Sequence, residues 1–363
     1  MKKIVFYLPL ILALLVTGCA NSPEKKQADE PATRNVIFLI GDGMGLNQIL
    51  AAMTVHQGPL ALEDATHVGI QKTHSANDYI TDSAASGTAM ACGTKTNNGA
   101  IGVDSTGLEL VSILKRAEEN GYATGLVSSS AITHATPASF IANEESRNDY
   151  EAIAADFLKT DIDVFIGGGQ DHFYNREDGR DLTSDLEEKG YTVARSMAEV
   201  EKVTSGKLAG LTAAVHNPPA AEGRADMLPV ATQKALDLLD DNPEGFFLMV
   251  EGSQIDWAGH ANDEEYLISE TLDFNKVVEI AMDFAKKDNE TLVVITADHE
   301  TGGFVVLNGN YQEQTVETTF TTGGHTGSMI PVFAYGPGAE LFSGVYENTA
   351  FPERFSKAYG FTE

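Results

Sequence analysis

Seven residues with metal-binding side chains sit beside apolar runs of this sequence. Asp42, Glu251, Asp256, His260, Asp298 and His299 end or follow such runs, and His325 lies in a glycine-rich loop just before another. Mixed carboxylate and imidazole donors suit zinc, whereas oxygen-only sets suit magnesium. Asp256 and His260 are four apart, on one face of a helical turn. Two zinc ions about 4 Å apart can clamp the attacking and leaving oxygens of a phosphoryl transfer. Asp82-Ser83 offers the oxygen to be activated. Small residues follow through Ala85, Gly87, Ala89 and Ala91, so Ser83 reads as the first turn of a helix with a crowded backbone around it. Helix N–H groups at that place favour an anionic substrate. Asp82 can hold a cationic group or a metal-bound water. Alone, Asp-Ser is an ordinary N-cap and Asp42 a turn aspartate. Capping does not explain ligands gathered at one edge of a sheet.

The elements that must gather them are legible. Asn35–Gly41 is a continuous apolar run, typical of a strand buried on both faces, and a helix follows through Ala52. Asp42 then lies at the C-terminal end of a central strand, where open α/β sheets bind ligands. A strand-like run from Tyr79 leads into Asp82-Ser83. Strands are expected at 122–128, 161–167, 245–250, 290–297 and 330–335, and helices at 108–120, 149–159 and 226–240. A long helix after His260 carries Leu267, Thr271, Phe274, Val278 and Ala281 on one stripe. Pro137 suits the first position of a helix capped by Thr136. This alternation predicts an α/β three-layer sandwich, a mostly parallel central sheet with helices on both faces. One catalytic domain is expected over 35–363, with a surface elaboration at about 170–225 that contains short helical pieces and edge strands.

The N-terminus reads as a targeting segment, residues 1–19. Lys2 and Lys3 precede an apolar run from Ile4 to Val16, interrupted by Pro9 and too short to span a bilayer comfortably. Leu15-Val-Thr-Gly-Cys19 resembles a bacterial lipobox, with Cys19 acylated. Residues 20–34 are a polar tether. The expected location is the cell envelope, lipid-anchored at Cys19, with Ala20 favouring outer-membrane sorting. The chain has 2 cysteines, so lipidation leaves Cys92 without a disulfide partner. A formal charge of −29 excludes a broad basic face for nucleic acid. An anionic substrate would therefore need a locally cationic site.

The sequence resembles the alkaline phosphatase family over roughly Asn35 to Gly338. The motifs are Gly41-Asp-Gly-Met-Gly, Thr81-Asp-Ser-Ala-Ala-Ser, His134-Ala-Thr-Pro, Val250-Glu-Gly, Asp256-x-x-x-His260, Thr296-Ala-Asp-His and His325-Thr-Gly-Ser. The resemblance implies hydrolysis of small phosphate monoesters, with Ser83 as the nucleophile that becomes phosphoserine. Arg147 would grip two phosphate oxygens as a fork. A first zinc would take Asp256, His260 and His325. A second would take Asp42, Asp298 and His299, with the Ser83 oxygen during reaction. A magnesium site would take Asp42, Thr136 and Glu251. In the family a zinc-bound hydroxide then hydrolyses the phosphoserine. Two zincs, one magnesium and Arg147 bring about seven positive charges against four ligand carboxylates, which answers the acidity of the whole. The family is often dimeric, so a homodimer is a further expectation, with no interface identifiable in the sequence.

His134 and Trp257 depart from family members that carry aspartate and lysine there. An imidazole cannot accept from magnesium-bound waters on both sides as a carboxylate does, so the third site should be weaker or more promiscuous. Trp257 adjoins a ligand and either walls the phosphate pocket or simply packs. His56, His67, His74, His172 and His216 lack partners at ligand spacing and are not expected in catalysis. A sulfatase would need a Cys- or Ser-x-Pro-x-Arg motif, absent from Ser83-Ala-Ala-Ser-Gly. Diesterases on this scaffold commonly use threonine and lack the arginine. A silent metal- or phosphate-binding protein would have little reason to keep Ser83 and Arg147 together.

Overall fold

The computed structural model describes residues 1–4 and 33–361. The apolar run beyond Ile4, Cys19 and the tether to residue 32 lie outside the described residues. In chain order the strands are β1 (Asn35–Gly41), β2 (His67–Lys72), β3 (Ala123–Ala131), β4 (Val164–Gly168), β5 (Tyr191–Ala194), β6 (Lys207–Leu211), β7 (Phe246–Gly252), β8 (Thr291–Thr296), β9 (Glu300–Thr301), β10 (Phe304–Asn310), β11 (Thr315–Phe320), β12 (His325–Thr326), β13 (Ile330–Tyr335) and β14 (Gly344–Glu347). Ten of them form one sheet in the order β14-β2-β13-β8-β1-β7-β3-β4-β6-β5. Only β13 runs against its neighbours, β2 and β8; the other pairings are parallel.

The central strands are apolar on both sides because both sides are covered. On β1, Val36, Phe38 and Ile40 join one core, and Ile37 and Leu39 the other. On β8, Leu292 and Val294 face the first core, Val293 and Ile295 the second. The first core is closed by the helices Ser83–Cys92, Ile113–Glu119 and Phe351–Tyr359, the second by Leu46–Val55, Met227–Leu239 and Glu264–Asp288. Each large apolar side chain so buried contributes roughly 2 kcal/mol. That burial fixes β8, β1, β7 and β3 side by side, and their C-terminal ends carry the site. The long helix has clear termini: Asp263 accepts from Tyr266 N at 3.0 Å, Glu264 and Glu265 fill the first turn, and Lys286 and Lys287 the last.

Several local expectations change. Residues 79–81 are not a strand; Asp78 Oδ1 accepts from Ile80 N, and Asn98 Nδ2 donates to Ile80 O, holding them as a loop. The helix expected from Leu108 starts at Ile113, because Ser112 accepts from Lys115 N as its cap and Val103 pairs with Glu109 before it. Thr136 does not cap: it lies inside the short helix Ala135–Ala138, which follows His134. The stretch 170–225 supplies β5 and β6 at one edge of the main sheet. Among the described residues no helix is long and apolar enough to cross a membrane.

Candidate active site

Four adjacent strand ends converge. β1 runs into Asp42, β7 carries Glu251 opposite Ile40, β8 runs into Asp298 and His299, and β3 leads to His134 and Thr136. The helix Gln254–Ala261 follows β7 directly and brings Asp256 and His260 over the same edge. Gly43 permits this approach. It has φ +76°, and a Cβ there would lie 2.7 Å from Asp256 Cα.

Three donor groups result. In the first, Asp256 Oδ1 lies 3.4 Å from both His260 Nε2 and His325 Nε2, which are 3.1 Å apart. A tetrahedral zinc site with bonds near 2.0 Å has donor–donor edges of about 3.3 Å. In the second, His299 Nε2 lies 3.2 Å from Asp298 Oδ2, 3.5 Å from Asp42 Oδ1 and 3.3 Å from Ser83 Oγ. The third gathers Asp42, His134 and Glu251, with His134 Nδ1 4.0 Å from Glu251 Oε1. The rings of His299 and His325 stack at 3.6 Å, so the first two groups adjoin. Asp256, His299 and His325 also lie within reach of one cation.

The imidazoles are oriented to bind. His260 Nδ1 donates to Gly323 O and His325 Nδ1 to Thr81 O, each at 2.8 Å, which turns both Nε2 atoms toward Asp256. Thr301 Oγ1 donates to Asp256 Oδ1 at 2.5 Å and accepts from His299 Nδ1 at 3.2 Å, turning that Nε2 to the site as well.

The electrostatics call for cations. Both oxygens of Asp42, Asp298 Oδ2, Glu251 Oε1, His134 Nδ1 and Thr136 Oγ1 are buried without a hydrogen-bond partner. Burial, then the charges of Asp298, Asp256 and Glu251, push Asp42 well above the usual carboxylate range. Burial and Asp256 push Asp298 up to about 7. Burial acts on Glu251 too, but His134, Ser128 and Ser253 outweigh it and hold that carboxyl low. Burial is likewise outweighed at Asp256, by His325, His299 and His260. Burial holds His299 well below its ordinary value, so it is a neutral donor. Orphaned carboxylates and the neutral imidazole of His299 in one buried volume fit divalent cations.

Ser83 opens the helix Ser83–Cys92, whose ten residues are all buried. Asp82 serves as both cap and anchor. Its Oδ1 accepts from Ala85 N at 2.9 Å, and its Oδ2 accepts from Gly99 N and Arg147 Nη1, each at 3.0 Å. Arg147 Nη2 is 3.5 Å from His134 Nε2. Burial works against the Arg147 charge, but Asp82 raises its pKa further. Trp257 packs edge-on to His216 at 4.9 Å and to His134 at 6.1 Å, forming a wall beside the third group.

Sequence reasoning missed the layer behind the donors. Ser128 Oγ and Ser253 Oγ each donate to Glu251 Oε2 at 2.7 Å, and Ser130 Oγ lies 3.0 and 2.9 Å from them. The run Ser128-Ser-Ser130 at the end of a strand otherwise apolar was the signal available. Thr301, two residues after His299, gave none.

The family model described as alkaline phosphatase matches residues 33–312 and 305–361. Alkaline phosphatase 3 of Bacillus subtilis (strain 168) is 36% identical over 426 aligned positions, covering 93% of this chain and 92% of that protein. The alkaline phosphatase structure from the Antarctic bacterium TAB5 superposes with a TM-score of 0.87 at 40% identity, covering 92% of this chain and 100% of that one. A histidine-to-aspartate variant of the TAB5 enzyme, with Mg bound in its M3 site, gives 0.86 at 39% identity over 92% and 99%.

Proposed function

This chain belongs to the alkaline phosphatase family, whose activity is phosphate monoester hydrolysis, and from that premise we propose that it works through a phosphoserine at Ser83 on a centre of two zincs and one magnesium. The observation that carries the reading is the placing of Ser83 Oγ 3.3 Å from His299 Nε2, beside Asp42, Asp298 and a second triangle of donors. Asp256, His260 and His325 would hold one zinc; Asp42, Asp298 and His299 the other. Asp42, Thr136 and Glu251 would hold the magnesium, with His134 beside them. The TAB5 variant with Mg bound in its M3 site carries aspartate in place of a histidine, which supports magnesium as the cation a carboxylate favours at such a site. Bound at such donors, divalent cations neutralise phosphate charge and make an oxygen nucleophile more acidic.

The chain's own part is positioning. The N-terminal turn of the helix Ser83–Cys92 faces the incoming anion with backbone N–H groups. The guanidinium of Arg147, held through Asp82, is free to fork onto two phosphate oxygens. Ser83 Oγ gives up its proton and forms a bond to phosphorus; the ester bond breaks, and the leaving alcohol takes a proton from water. Water then attacks the phosphoserine, inorganic phosphate leaves, and Ser83 recovers its proton. Labelled inorganic phosphate, quenched at mildly acidic pH and followed by peptide mapping, should mark Ser83. Label elsewhere, or none with full turnover, would refute the intermediate.

The N-terminal reading belongs to the same proposal: a lipid on Cys19 tethers the enzyme in the cell envelope. Fatty-acid labelling that is lost in Cys19→Ala would support it, and labelling that persists would not.

A further inference from the structure

His172 lies between two loops of the site. On one side its ring stacks on Tyr150, with centroids 4.7 Å apart and planes at 6°. Tyr150 opens the helix Tyr150–Asp156 and follows Arg147 by three residues. On the other side His172 Nδ1 is 2.7 Å from Thr133 Oγ1. Thr133 immediately precedes His134 and is three residues before Thr136. The surroundings keep the ring in place. Gly169, at φ +96°, lets the backbone pass close to the pair: a Cβ there would lie 3.2 Å from His172 Nδ1 and 3.4 Å from Thr133 Oγ1. The Arg176 side chain, 5% exposed, donates to Glu151 O at 2.6 Å and to His172 O at 3.0 Å. Glu177 N donates to Glu151 Oε1 at 2.7 Å. The short helix Gln170–Tyr174 is thus fastened to the segment that carries Arg147.

We propose that His172 is a positioning residue: one imidazole sets the separation between the Arg147 loop and the His134–Thr136 loop. Stacking on Tyr150 holds the phosphate clamp, and the bond to Thr133 holds the third cation site. This rests on the reading of Arg147 and Thr136 given above, which assigns His172 no part.

The two contacts can be cut separately. Tyr150→Ala removes the stack. His172→Phe keeps a ring for Tyr150 but loses the Thr133 bond, and Thr133→Val removes that bond from the other side. The readouts on zinc-loaded protein are inhibition by inorganic phosphate, KM and kcat for a chromogenic monoester, Mg2+ affinity by titration calorimetry, and the melting temperature. Tyr150→Ala should raise KM and the phosphate inhibition constant about fivefold to tenfold, with kcat and Mg2+ affinity nearly unchanged. His172→Phe and Thr133→Val should weaken Mg2+ binding by a similar factor and leave phosphate inhibition alone. His172→Ala should do both. Variants that all shift the same parameters, or only the melting temperature, would overturn the proposal. Arg147→Ala separates the levels: if it leaves phosphate inhibition unchanged, the clamp reading falls and this inference with it. If it weakens phosphate binding and Tyr150→Ala does not, this inference alone falls.

Discussion

Asp82 and Arg147 are joined by a 3.0 Å ion pair, and the other oxygen of the same carboxylate caps the helix that begins at Ser83. The helix, Ser83 and the Arg147 guanidinium are therefore referenced to one side chain. Asp82→Asn keeps a capping oxygen but removes the charge that fixes the guanidinium. It should raise KM and the phosphate inhibition constant about tenfold and lower the melting temperature a little, because its amide NH2 would face Gly99 N. Asp82→Ala should add a loss of about 1 kcal/mol in unfolding free energy from the missing cap. Equal phosphate inhibition in wild type and Asp82→Asn would contradict the anchoring role.

His134 presents one unpartnered nitrogen to Glu251 and Asp42, while its other nitrogen faces Arg147. A carboxylate there would offer two oxygens to magnesium-bound waters. His134→Asp should keep magnesium through dialysis that strips the wild type, read as the magnesium-to-protein ratio. An unchanged ratio would count against the account of a weakened third site.

Without cations the site should make folding pH-dependent, and the sign can be worked out. Burial and the charges of Asp298, Asp256 and Glu251 raise Asp42, burial and Asp256 raise Asp298 to about 7, and at His325 burial is outweighed by Asp256, which raises it. Groups raised in the folded state hold more protons there than in the unfolded chain, so stability is lost as pH rises through their folded values. The depressed His299 acts the other way, but only below the ordinary histidine value near 6.5. Chelated protein should therefore lose melting temperature as pH rises from about 6.5 past 7, and zinc should abolish that slope and raise the melting temperature. A chelated protein that gains stability over this interval would contradict the electrostatic account.

Gly43→Ala tests how the first turn admits the helix that carries Asp256. The new Cβ would meet the Asp256 backbone at 2.7 Å and Thr301 Oγ1 at 2.9 Å, in a backbone conformation that alanine disfavours. We expect zinc affinity to fall by about tenfold or more, with a destabilisation above 1 kcal/mol. Calorimetric zinc titration that matches wild type would show that the turn gives way without moving Asp256.

Much of this was legible because β1, β7 and β8 are apolar runs that end in Asp42, Glu251 and Asp298-His299; a strand buried on both faces announces itself, and so does the polar residue at its end. Helix Glu264–Asp288 was equally plain from its stripe. The hairpin β10–β11 was not. Thr315–Phe320 alternates exposed and half-buried side chains, and threonine-rich edges of that kind look like loop. Edge strand β14 and its neighbour β2 are short and partly exposed, and so equally hard to read as strands. His172 and His216 carry no local signature: their partners Thr133 and Ala131 lie 39 and 85 residues away, so only the folded sheet brings them to the site. Pro137 marks a helix start in the sequence, but the helix begins two residues earlier at Ala135, so Thr136 lies inside it and does not cap it.

The most direct test of the central claim compares hydrolysis of a chromogenic phosphate monoester with its bis-ester at alkaline pH. Wild type and Ser83→Ala should each be assayed with zinc and magnesium and again after chelation. We predict monoester turnover that requires metal and falls about a thousandfold or more in Ser83→Ala. Preference for the bis-ester, or turnover that survives the loss of Ser83, would contradict the account.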